Sequence, residues 1–97
     1  MEKAIVYNDD KPKWSLVYYP AIEDMIKVLE FGCKKYDKNN WKKPMDREEI
    51  LESIQRHLAK LFEGEEIDNE SLEHHISHIM ARCMFYFYHS KNDTFYE

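Results

Sequence analysis

Glycine and proline are scarce, two and three respectively in 97 residues. Phosphate-cradling loops and dinucleotide fingerprints need closely spaced glycines, so neither is available, and collagen-like or low-complexity architectures are excluded. The two cysteines, Cys33 and Cys83, form no Cys-x-x-Cys pair, which removes structural zinc and a disulfide framework. No Gly-x-Ser-x-Gly elbow is present, so catalysis by a nucleophile has little support. No run approaches the roughly 20 apolar residues that span a bilayer. Met1-Glu2-Lys3 opens neither a signal sequence nor a lipidation motif. Membrane insertion and secretion are not expected, and with reduced cysteines a cytoplasmic location is. A surplus of positive charge is missing too: the net charge is −5. Duplex nucleic acid, which calls for a broad basic face, is therefore not an expected partner.

What is there is 43% apolar and 34% charged, the composition of a helix-rich globular protein. A chain of this length builds one domain around one modest core and commonly gains stability by pairing with copies of itself, so a homo-oligomer is expected. The charge is divided along the chain. Residues 11–43 carry eight lysines against four acids, whereas residues 44–78 carry ten acids against Arg47, Arg56 and Lys60. A small anionic ligand needs only a local cluster of donors, and a metal can offset nearby carboxylates.

The periodicity predicts an all-α fold, a small bundle of three main helices preceded by an arm. Residues 1–19, with apolar Ala4–Tyr7, a turn at Asn8–Pro12 and then Trp14–Tyr19, read as an extended N-terminal arm or a short hairpin. Residues 20–97 form the helical domain. Pro20 suits a helix start, and Ile22, Met25, Ile26, Leu29, Cys33 and Tyr36 repeat at three and four, giving a helix over about 20–36. Asp46 is placed to cap a second helix, with Glu48 and Glu49 in its first turn. Its expected core face is Ile50, Leu51, Ile54, Leu58, Leu61 and Phe62, and it stops at Gly64. A third helix is expected from Asn69–Ser71 to about Ser90, with Leu72, Ile76, Ile79, Met80, Cys83, Tyr86 and Phe87 as its core stripe. Cys33 and Cys83 are thereby expected in the core.

Polar side chains form a second pattern beside the apolar one. Ser71, His75, His78 and Arg82 make their own stripe at spacings of four, three and four, and His57 lies at the edge of the buried face of the second helix. His75 and His78, three apart, can reach one cation, with Glu63, Glu66, Asp68 or Glu70 as hard oxygen ligands. The imidazoles can equally donate to phosphate oxygens. His74 and His89 lie on other faces and read as surface histidines. Glu48-Glu49-x-x-Glu52 followed by Glu65-x-x-Asp68 formally matches the carboxylate pattern of all-α nucleoside triphosphate pyrophosphohydrolases, but Glu65 and Asp68 fall in a predicted turn. Lys35, Tyr36, Asn40 and Trp41 combine charge, an amide and aromatic planes, suited to a nucleotide. The bland alternative is that Tyr36 and Trp41 cap the core.

Taken in order, Lys11-Pro-Lys13-Trp14-x-Leu16, Leu29-x-Phe31-Gly32-x-Lys34-Lys35-Tyr36, Asn40-Trp41, Arg56-His57-Leu58, Gly64-Glu65-Glu66-Ile67-Asp68, Glu70-Ser71 and His75-x-x-His78 resemble the dATP/dGTP diphosphohydrolase N-terminal domain family. The resemblance covers about residues 11–88. It implies a small phage or bacterial all-α domain that works on purine deoxynucleotides, releasing pyrophosphate from the triphosphate with Mg²⁺ or Mn²⁺. Position by position it carries over Lys13, Lys35, Tyr36, Asn40, Trp41, Arg56 and His57, together with Glu63, Glu66, Asp68, Glu70, His75 and His78. In that mechanism the four carboxylates are the metal ligands and His57, His75 and His78 position the attacking water. Lys13, Lys35, Tyr36, Asn40, Trp41, Arg56 and Arg82 hold the nucleotide. The chain departs from the family where glycine and proline are common and it has Leu72 and His74, and where a small or amide residue is common and it has Arg82. The rival expectation is a non-catalytic oligomeric sponge that sequesters a nucleotide or cyclic-nucleotide immune signal, an anti-defence role.

Overall fold

Each helix boundary follows from a few residues whose backbone groups need partners. In the computed structural model, which describes residues 1–96, α1 runs Tyr19–Cys33 with Pro20 in its first turn, where the missing N–H costs nothing. Helix α2 spans Arg47–Phe62. The Asp46 carboxylate accepts the Glu48 backbone N–H at 3.0 Å, and Glu48 and Glu49 sit at the positive end of the helix dipole. At the other end Gly64 adopts φ +91°, which lets its N–H reach Leu61 O (3.0 Å) and the Glu65 N–H reach Lys60 O (2.9 Å). These two bonds satisfy carbonyls that α2 would otherwise leave open.

The third helix begins later than its apolar pattern predicts. Helix α3 spans His75–Asn92. Asp68 explains the delay: its carboxylate accepts both the backbone N–H and the hydroxyl of Ser71, each at 2.8 Å. The chain then doubles back, with an antiparallel bridge between Ile67 and His74 and bonds from Asp68 N to Glu73 O and from His75 N to Glu66 O. Side-chain acceptors in a turn have here outcompeted helix propagation. Leu72, expected in the core, sits instead at φ +63° on the outside of this loop, 73% exposed. A two-residue parallel pair, β1 (Met45–Asp46) and β2 (Phe95–Tyr96), ties the start of α2 to the segment after α3, with Met45 opposite Phe95. Asp93 makes this return possible by taking the left-handed conformation, φ 53°.

Helices α2 and α3 form an antiparallel hairpin, and α1 packs on α3. The protein is thus a helical assembly with a preceding arm, residues 1–18, exposed throughout and carrying only a short 3₁₀ turn at Trp14–Leu16. Its interior differs from the expected one. The fully buried apolar side chains are Val28, Ile50 and Ala81, and beside them lie buried His75, Ser77, His78 and His89. Ile26, Tyr36, Leu51, Leu58, Phe62, Ile76 and Phe87, all assigned to core stripes by periodicity, are exposed. Cys33 and Cys83 are exposed free thiols, not core residues. The cause is a rotation of each helix about its axis: the polar stripe of α3 faces α2, and much of the apolar surface of both helices faces away.

Candidate functional site

Three clefts run into one another along the face where α1, α2 and α3 meet. The first, about 440 Å³, has walls from Val28, Gly32, Tyr36, Asn40, Trp41 and Phe85. Arg82, Tyr36 and Phe85 also border the second, about 960 Å³, which adds Glu49, Glu52, Ser53 and Arg56. Arg56 in turn borders the third, about 630 Å³, with His57, Lys60, Glu65, Asp68 and His75. The trough therefore passes from aromatic to basic to imidazole-rich surroundings.

The aromatic end is held by a histidine. Trp41 stacks on Phe85 with ring centroids 5.0 Å apart and meets Tyr88 edge-on at 5.0 Å. Its segment, a 3₁₀ turn at Asn40–Lys42, is pinned to α3 because the His89 Nε2–H donates to Trp41 O at 2.6 Å. A carbonyl only accepts, so His89 Nδ1 is the acceptor for the Thr94 hydroxyl, also at 2.6 Å. His89 is fully buried and both nitrogens are used, which makes it a structural residue and not the surface histidine expected.

In the middle, the half-buried Arg82 guanidinium donates through Nε to Ser53 Oγ at 3.1 Å and lies 5.5 Å from the Phe85 ring centre. Burial and then the nearby charge of Arg56 lower its pKa from the ordinary guanidinium value. Among the described residues, no carboxylate lies within 4.0 Å of either arginine. Two neighbouring guanidiniums, neither in a salt bridge among the described residues, have the charge and donor geometry that suit an anion.

At the third cleft the hydrogen bonds fix the proton on each ring. The Glu65 carboxylate lies 2.7 Å from His75 Nε2 and only accepts, so His75 carries its proton there. With both rings neutral, His75 Nδ1 then accepts from His57 Nδ1–H at 2.8 Å, and His57 presents an unprotonated Nε2. The single Ser71 hydroxyl proton goes to Asp68, so His78 Nε2 must donate to Ser71 Oγ at 2.7 Å. His78 Nδ1 is left as a buried lone pair without a partner. The His57 ring stacks on His78 with centroids 4.4 Å apart and planes 9° apart. Burial, and then the neighbouring His78 and Arg82, push His57 down to about 4; burial and Arg82 also lower His78. Burial alone would raise Asp68, but its two bonds from Ser71 and the facing histidines hold it below the usual carboxylate value.

Comparison with known proteins bears on what this trough serves. Residues 2–97 match the family model described as dATP/dGTP diphosphohydrolase, N-terminal. The chain belongs to this family. One relative of the dATP/dGTP diphosphohydrolase N-terminal domain described here is a Salmonella phage PMBT28 protein named dATP/dGTP diphosphohydrolase. The two are 30% identical over 84 residues, 87% of this chain and 29% of the phage protein. The chain thus spans less than a third of the length of that relative. No solved structure matches.

The structure gathers some of the residues that the family resemblance carries over to this domain and separates others. Tyr36, Asn40, Trp41, Arg56, His57, His75, Asp68 and Glu70 line the trough, and so does Arg82, at which the chain departs from the family. His78 lies behind His57, and Lys13 lies on the arm, donating to Asn8 O. Lys35 and Glu70 pair with each other, and that hydrogen bond raises the Lys35 pKa. Glu63 ends α2 and pairs with Lys60 at 3.6 Å, while Glu66 is exposed and serves through its backbone carbonyl. The expected ligand quartet Glu63, Glu66, Asp68 and Glu70 therefore does not converge. Among the described residues no group of three or more His, Cys, Asp or Glu side chains is placed to hold a metal ion. Glu63 and Asp68 are turned toward local partners, Lys60 and Ser71, whereas Glu70 is drawn to Lys35 beyond the end of α1 and the Glu66 side chain is exposed. Three residues absent from the expected site matter to it. Ser53 holds Arg82, and Glu65 and Ser71 set the tautomers of His75 and His78. The signal for Ser71 was its place in the polar stripe with His75, His78 and Arg82. Glu65 was visible only in the Glu65-x-x-Asp68 carboxylate pattern, not as a partner of His75, and Ser53 gave no signal beyond being polar.

Proposed function

We propose that this domain binds a purine deoxynucleoside triphosphate along the trough and hydrolyses it to the monophosphate and pyrophosphate. The observation that carries the reading is the pair Arg56 and Arg82, without a carboxylate partner, between an aromatic cleft and an imidazole with a free lone pair. The base lies in the cleft of Tyr36, Trp41 and Phe85, where Asn40 offers an amide to its edge. The triphosphate follows over Arg82 and Arg56, which neutralise charge as it builds on the departing pyrophosphate. Magnesium enters as part of the substrate, bound to the triphosphate, and no resident ion is assigned to these residues.

In the reaction a water oxygen attacks the α-phosphorus and the bond from that phosphorus to the α–β bridging oxygen breaks. His57 Nε2 accepts the proton of the attacking water. Burial keeps His57 neutral, and its hydrogen bond to His75, itself oriented by Glu65, orients it for this. In this scheme His57 is the catalytic residue, and His75 and His78 are positioning residues that touch the substrate only through it. The phage relative's name, the family's description and the order of chemical environments along the trough support the assignment.

The test is chromatography of products after incubation with dATP, dGTP, ATP and GTP, with Mg²⁺, with Mn²⁺ and with EDTA. Release of dAMP or dGMP with equimolar pyrophosphate is expected, and His57→Gln should lower the rate at least about 100-fold, the scale of a lost general base. Nucleotide recovered intact in every condition contradicts hydrolysis. An unchanged rate in the variant removes His57 from its role.

A further inference from the structure

The trough occupies one side of the α2–α3 hairpin, and the other side is apolar and open. On α2 the exposed residues Leu51, Leu58 and Phe62 are spaced seven and four apart; on α3 Ile76, Cys83 and Phe87 repeat the same spacing. Because the helices are antiparallel, the two stripes lie side by side. Between them runs a shallow groove of about 650 Å³, and the polar residue among those lining it is Ser90. Phe62 is 85% and Phe87 64% exposed in the single chain.

We propose that a second copy of this chain covers this face, the two α2–α3 hairpins packing into a four-helix core around a two-fold axis. The interior of one copy argues for it, since among the described residues only Val28, Ile50 and Ala81 are buried apolar side chains. Surface area argues for it in the same direction. A folded chain of 11.9 kDa exposes about 5,900 Å², and this one exposes 8101 Å². The extended arm accounts for part of the difference of about 2,200 Å². Half of that difference would still exceed the roughly 800 Å² per partner that a stable interface buries. A charge-free stripe repeated with the same spacing on two antiparallel helices is also self-complementary, as an interface between identical copies must be. The pairing leaves the trough open on the outer side of each hairpin.

Sedimentation equilibrium of the wild-type protein should give twice the chain mass, and Leu58→Glu with Phe87→Glu should give the chain mass with helical circular dichroism retained. Thiol labelling supplies a readout that needs no variant. Cys83 lies in the interface and Cys33 outside it, so in the associated protein Cys83 should react at least tenfold more slowly than Cys33 and approach its rate on dilution. A monomer at every concentration, an associated state unaffected by the double substitution, or a Cys83 as reactive as Cys33 in the associated state overturns the proposal.

Discussion

His57 holds an unusual position for a histidine, wedged between two others and near an arginine, and its neutrality is built into the fold. The sign of the resulting pH dependence follows directly. The unfolded chain binds a proton at His57 near pH 6.5, whereas the folded protein resists it down to about 4. Between those values the unfolded state holds more protons, so stability is full above about 6.5 and falls as pH drops toward 4. His78, lowered in the same direction, adds to the loss. Urea midpoints measured from pH 7.5 to pH 4.5 should therefore fall steadily. A midpoint that is flat over that window would mean the rings are freely protonated in the folded state. How far residues were legible from sequence varies along this site. His75, His78 and Arg82 stand out because imidazoles and a guanidinium share one face of a helix, and Arg56 and His57 because they are adjacent on the helix before it. Glu65 is invisible as a partner of His75, since only the doubling back of residues 65–74 brings it there.

At the scale of elements, two backbone positions decide where α2 and α3 begin and end. Gly64 at φ +91° closes α2, and alanine there should cost about 1–2 kcal/mol through left-handed strain. Leu72 at φ +63° bears that strain already without burying its side chain. Leu72→Gly should therefore raise the thermal midpoint slightly, by the equivalent of less than about 1 kcal/mol, because relief of strain exceeds the added freedom of the unfolded chain. Thermal unfolding of both variants checks the pair; a stabilised Gly64→Ala or a markedly destabilised Leu72→Gly would contradict the account of this loop. The ends of α2 were readable because Asp46 and Gly64 carry local chemistry that acts within a few residues. The start of α3 was not, because Leu72 fits an apolar stripe that runs through the loop, while the Asp68–Ser71 bonds that break the helix are a matter of competing acceptors. The pair β1 and β2 is two residues on each side, too short for any alternating pattern.

The whole molecule measures 57 × 34 × 25 Å with a radius of gyration of 17.3 Å, where a compact chain of this length has about 12.5 Å. That openness is shared between the arm and the uncovered face of α2 and α3. Periodicity located the helices and their apolar residues, but it could not show which side of each helix meets its neighbour within one chain. A stripe such as Leu51, Leu58 and Phe62 looks the same whether its partner is internal or a second copy. The polar stripe of α3 turned inward instead, and it is this inversion that creates the trough. Under the proposed function the cost of burying Arg82 beside Arg56 is offset when the nucleotide binds, so the protein without ligand should be under electrostatic stress at that point. Melting temperatures of the wild type and Arg82→Met, each with and without Mg²⁺-dATP or Mg²⁺-dGTP, therefore test the central claim most directly. The wild type should melt higher with nucleotide, and Arg82→Met should melt no lower than the wild type alone yet show no nucleotide-dependent rise. A wild type unmoved by purine deoxynucleotides, or a variant stabilised as strongly as the wild type, would contradict it.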